Sequence, residues 1–165
     1  MYKIDRRCSL LTKRNELITW TNTFACGIKL IDDQHKELVN LVNGMFNHIT
    51  GDPEEEREYF NKIIGEAVKY VKVHFATEER IMRHTRFAGY AEHKREHDNF
   101  VLTVVENVRI FNAGGQLTLT IFTKFLKNWV LSHIAVADKQ YFTYLRRIAS
   151  RKANGKLSIT SEDIR

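Results

Sequence analysis

The sequence predicts an all-α fold, an antiparallel up-down four-helix bundle with an N-terminal extended arm and a short C-terminal helical piece. Three observations lead there. One proline and eight glycines in 165 residues leave too little punctuation for many short strands. Four stretches repeat apolar residues at intervals of three or four, each bounded by turn chemistry. The same inner faces carry histidines and acids, and the core of a helix bundle is a usual place to build a metal site from facing side chains.

Residues 1–19 show no clear period and read as an arm or tail. The next stretch, WTNTFACGIKLI, mixes aromatic, small and β-branched residues, which suits an extended segment lying across the bundle. Asp32 or Asp33 is the expected cap of the first helix, whose stripe is His35, Leu38, Val42, Met45 and Ile49. Gly51 ends it, and Asp52, Pro53 and Glu55 supply a cap, a first-turn proline and a first-turn acid for the second. That helix carries Phe60, Ile64, Ala67, Val71, His74, Glu78 and Met82 inward, and Gly89 marks the connection that follows. His93, His97, Phe100 or Val101, Val104, Val108 and Phe111 line the third, which Gly114 and Gly115 stop. Phe122, Leu126, Trp129, His133 and Ala137 line the fourth. The bundle is expected over residues 20–149, with a last helical piece near 141–150 and a polar tail over 150–165.

Asp138 breaks the pattern. Five residues after His133, it stands about 140° around an ideal helix from that face. Both reach one site only if the backbone leaves regular α geometry between Ile134 and Asp138, by a helix end or a wide turn.

Composition narrows the function classes. The formal charge of +6 is spread among acids, without a basic-aromatic motif, so it reads as a solvated surface and not a nucleic-acid footprint. Cys8 and Cys26 are too few for a disulfide framework and are expected to stay reduced. The charged N-terminus lacks a signal-peptide core and no window approaches a membrane span, so a cytoplasmic location is expected. A monomer is expected, and the tails are free for a protein partner that nothing in them identifies.

The chemistry converges on metal. His74 with Glu78, and His93 with His97, are four apart, so each pair projects from one helix face about 5 to 6 Å apart. Adding His35, His133 and Asp138 gives five imidazoles and two carboxylates on four inner faces. Without a cation they would leave many unpaired polar groups in a core, each costing about 1 to 3 kcal/mol. His48 and His84 fall off these faces and read as surface or boundary residues, and Glu79, about 100° from Glu78, reads as solvated. Imidazole with carboxylate suits Fe, Zn, Ni or Cu, and shared carboxylates favour two ions.

The segments ITW, GIKLIDDQHKEL, HFATEERIM, HKREHDNF and NWVLSHIAVAD make residues 17–145 resemble the bacterial hemerythrins. The resemblance implies a non-haem centre of two Fe ions bridged by Glu78, Asp138 and an oxo or hydroxo group. One iron would take His35 and His74, the other His93, His97 and His133. It further implies reversible O2 binding, for transport, storage or sensing, without catalytic turnover. Trp129, Val130, Phe75 and Ile134 are the expected walls of the O2 pocket, with Trp129 the foremost. Arg86, Phe87 and Ala88 depart from the family's common Gly-Tyr-Pro, and Val130 stands where a leucine is common. The smaller Val130 is expected to loosen the pocket and speed autoxidation. Two rival chemistries stay open: a di-iron redox enzyme consuming peroxide, nitric oxide or O2 at the same centre, and, more remotely, a zinc hydrolase in which Glu96 of the HxxEH formed by His93 and His97 activates water.

Overall fold

The computed structural model describes residues 16–115 and 118–153. Five α-helices fill it: α1 (Lys29–Asn47), α2 (Pro53–His84), α3 (Tyr90–Asn112), α4 (Leu119–Ser132) and α5 (Asp138–Ala153), the last two joined by a single π turn, His133–Ala137. α1 packs against α2 and α4, and α2 against α3. α4, the π turn and α5 run on without a break as the fourth rod of the bundle, so the C-terminal helical piece continues that rod. The readings of residues 1–15 and 154–165, and of Cys8, lie outside the described residues.

α1 begins earlier than its aspartates suggest. Its N-cap position is Ile28, which makes no side-chain cap. Asp32 instead reaches back, accepting hydrogen bonds from the amides of Cys26 at 2.7 Å and Gly27 at 3.0 Å. Gly27, at φ +86°, turns the chain so that both amides face that carboxylate. The preceding segment crosses α1 as an irregular strap. Asn43 clamps it at two points, accepting from the Ile18 amide at 2.9 Å and donating to the Ile18 carbonyl at 2.8 Å, and Ile18 itself is buried.

The second start is as predicted. Asp52 accepts from the amides of Glu54 and Glu55, with Pro53 in the first turn. Gly89 does fall in the α2–α3 connection. There Arg86 takes a left-handed φ of 55°, a conformation glycine adopts without strain. Tyr144 of α5 holds this loop by donating to the Thr85 carbonyl, while Phe87 packs on Tyr141 and Tyr144.

Two apolar cores result. The larger, built around Leu38, Val42, Met45, Phe60, Phe100, Val104, Phe122, Leu126 and Val130, fills most of the bundle. The smaller contains Cys26, Ile31, Ile81, Met82, Tyr141, Phe142 and Leu145 and closes one end. Cys26 is a free, buried thiol. The five buried histidines lie between the two cores: Phe142 and Tyr141 approach His35 and His93 from the end, and Phe75 and Trp129 approach His97 and His133 from the other side.

Candidate metal centre

All seven residues that the sequence singles out come together. His35 arrives on α1, His74 and Glu78 on α2, His93 and His97 on α3, His133 at the start of the π turn and Asp138 just after it, and none is more than 4% exposed. They form two sets whose nearest donor atoms lie within 4.8 Å of one another: Glu78 with His93, His97 and His133, and His35, His74, Glu78 and Asp138. Glu78 belongs to both. Asp138 also faces both ways, with Oδ2 3.2 Å from His35 Nε2 and Oδ1 3.3 Å from the Nε2 atoms of His93 and His133.

The π turn makes this possible. The Asp138 amide donates to the His133 carbonyl, an i to i−5 bond that fits one extra residue into the turn. His133 and Asp138, five apart, thereby reach one face, as the sequence required.

Protonation chemistry tests whether these residues fit metal ions. His97 Nδ1 lies 3.3 Å from Glu79 Oε1, and His133 Nδ1 lies 3.3 Å from Glu96 Oε2. A carboxylate facing Nδ1 accepts that nitrogen's proton in a hydrogen bond, so each ring turns its Nε2 inward. Those two Nε2 atoms are 3.0 Å apart. With both rings in the tautomer their outer carboxylates favour, the two Nε2 lone pairs face each other and Glu78, an arrangement that a shared cation would satisfy. The Nε2 atoms of His35, His74 and His93, and all four carboxylate oxygens of Glu78 and Asp138, are likewise buried without a hydrogen-bond partner. The donor set fits two divalent ions, with Glu78 common to both sets.

A family model described as the hemerythrin HHE cation binding domain matches residues 26–145. The chain belongs to the hemerythrin family. It is 33% identical over 127 residues to a bacteriohemerythrin of Methylococcus capsulatus, covering 76% of this chain and 94% of that one. It is 31% identical over 122 residues to hemerythrin subunit 2 of Golfingia vulgaris, covering 74% and 88%. A solved wild-type hemerythrin superposes with a TM-score of 0.69 at 32% identity, over 78% of this chain and 98% of that one.

In this member of the family the electrostatics of the metal-free centre are uneven. Burial acts against charge on His35, but the carboxylates of Asp138 and Glu78, 3.2 and 3.7 Å from its Nε2, outweigh it and lift the ring to about 9. At His74 burial wins and pushes the ring down to about 4. Burial likewise keeps His133 well below the ordinary imidazole value. Burial opposes ionisation of Glu78 as well, yet the surrounding His74, His35, His93 and His97 hold its carboxyl well below the usual range. Asp138 is raised to about 6 by burial, with the charge of Glu78 adding to it.

Three outer residues had no role as backing groups in the sequence reading. Gln34 Oε1 faces His74 Nδ1 at 3.2 Å, alongside the contacts of Glu79 and Glu96 described above. Glu79 is the plain correction: its side chain is 14% exposed and turned to His97, because about 100° from Glu78 lies the seam with α3 and not open solvent. Glu96 contacts the outer nitrogen of His133, away from the inward Nε2 cluster where the hydrolase reading would need it. The available signal was adjacency. Each outer residue is the chain neighbour of a ligand on its own helix, and each serves an imidazole of the next helix in order.

Of the four expected pocket residues, Trp129 stacks on His133 with centroids 4.4 Å apart, and Phe75 on His97 at 3.7 Å. Val130 and Ile134 are buried in the larger core. Trp129 and Val130 also line an apolar cavity of about 140 Å³ between the helices, whereas Phe75 and Ile134 do not. His48 and His84 are exposed and outside the cluster, His48 stacking on Tyr59. Among the described residues, no helix is long and apolar enough to cross a membrane.

Proposed function

We propose that this chain holds two iron ions between Glu78 and Asp138 and binds O2 reversibly there, for transport, storage or sensing. The observation that carries the reading is the set of inward, partnerless donor atoms of His35, His74, His93, Glu78 and Asp138, with the Nε2 atoms of His97 and His133 3.0 Å apart beside them. His35 and His74 would serve one ion, and His93, His97 and His133 the other. Two iron(II) ions so held supply the electrons on which reversible O2 binding depends.

The chain's own residues do the rest. Glu78 and Asp138 set two negative charges against two cations, which limits the net charge to be buried. Trp129 and Phe75 cover the imidazoles of His133 and His97 and exclude water. No acidic side chain lines the apolar cavity beside Trp129 and Val130, and its single charged residue, Lys72, is exposed. That wall gives bound O2 no proton, which favours its leaving as O2.

The test is an absorption spectrum of iron-loaded, fully reduced protein, before O2, under O2 and after purging. A ligand-to-metal charge-transfer band that appears under O2 and vanishes on purging is expected. Irreversible oxidation without that band would overturn reversible binding in favour of a redox enzyme.

A further inference from the structure

The ligands are not backed alike. On the side of His93, His97 and His133, two imidazoles donate Nδ1–H to carboxylates, Glu79 and Glu96. On the other side His74 faces the neutral amide of Gln34, and His35 Nδ1 is buried with no partner. The Gln34 amide is fixed in this sense. Thr77 spends its hydroxyl proton on the Val73 carbonyl at 2.8 Å, so it can only accept from Gln34 Nε2, which turns Oε1 towards His74.

We propose that Glu79 and Glu96 are positioning residues that make the three-histidine set the first and tighter of the two metal sites. The proposal rests on the two-metal reading above. A carboxylate behind an imidazole fixes its tautomer, orients the ring and makes the inward nitrogen a stronger donor, and losing such a partner typically costs about 10- to 100-fold in metal affinity. A neutral amide fixes the tautomer without adding charge. Glu79 is the stronger of the pair. Its other oxygen lies 3.8 Å from Arg83 Nη1 and 4.0 Å from Lys94 Nζ, which hold it in place, and it is 14% exposed against 45% for Glu96. Water screens the charge of Glu96 more.

Three imidazoles against two would favour the same order by number alone, so the order in the wild type does not decide the matter; the step that each variant weakens does. The experiment titrates full-length metal-free protein with Co(II) against a competing chelator and resolves two binding steps. Glu79→Gln, which keeps the shape and an acceptor, is expected to weaken the first step by about 10-fold or more. The second step should move much less. Glu96→Gln should do the same to a smaller degree. Gln34→Glu should strengthen the second step and narrow the gap, an effect that mere structural support would not produce. Far-UV circular dichroism and melting of the metal-free variants should match the wild type. Both glutamine variants binding as the wild type does, or weakening both steps equally, would overturn the proposal. Wild-type protein that takes up no Co(II) would overturn the two-metal reading itself.

Discussion

Two stretches each deliver one imidazole and one carboxylate to the centre, by different backbones. α2 is 32 residues of α-helix in which His74 and Glu78, four apart, share a face by ordinary periodicity. The fourth rod has His133 and Asp138 five apart, and only the π turn between α4 and α5 brings them together. Their charge states differ as well: His74 is held neutral down to about 4, whereas Asp138 takes up a proton near 6. A ligand pair at spacing four needs only a helix. A pair at spacing five needs a local departure from one, held in place by what surrounds it.

The largest contrast is expected from the two carboxylates. Glu78 sits in both ligand sets and Asp138 in one, so Glu78→Gln should lose both ions, while Asp138→Asn should retain one with His93, His97 and His133. Metal content by mass spectrometry after desalting checks this, and equal loss in both variants would contradict the asymmetry.

Register comes next. Deleting Val136, which is 60% exposed, would return His133 and the aspartate to spacing four, and metal affinity should stay within about tenfold, about 1.4 kcal/mol, of the wild type. Inserting one alanine between Thr77 and Glu78 would swing Glu78 about 100° off its face. Affinity should then fall by at least about a hundredfold. Chelator competition on both variants separates them, and a deletion as damaging as the insertion would show that the π turn does more than absorb a residue.

The most gradual effect is the dependence on pH. Below about 9, His35 of the metal-free protein carries a proton that must leave before Nε2 can bind metal. Apparent affinity should therefore fall at least about tenfold per unit as pH drops from 9 towards 6, since His35 gives up one proton and His93, also raised above the ordinary imidazole value by Glu78 and Asp138, adds to the dependence. Below about 6 Asp138 adds a further proton and the dependence steepens, while His74 adds none until about 4. Chelator competition across this range measures it, and a flat profile between 7 and 9 would contradict the raised His35.

Much of this was legible before any coordinates. The four inner stripes, the Asp52 cap, the glycine boundaries and the break before Asp138 are local consequences of helical period and backbone chemistry. Where the reading slipped, the missing information lay outside the helix being read. Asp32 looks like a cap until it is seen reaching back to the amides of Cys26 and Gly27. Glu79 looks solvated until α3 is packed against its side of α2. Tyr141, Phe142 and Leu145 read as an appended piece until they meet Ile31, Ile81 and Met82 and close the end of the bundle over the centre.

The sequence by itself determined which side chains can ligate and which of them share a helix face, because side-chain direction along a helix follows from 3.6 residues per turn. The tertiary structure decided which imidazole each outer residue backs, which nitrogen each ring turns inward, and that Glu78 is common to both sets while Asp138 faces histidines of each. Those outcomes depend on distances of 3 to 4 Å across helix seams, and no spacing within a single segment encodes them.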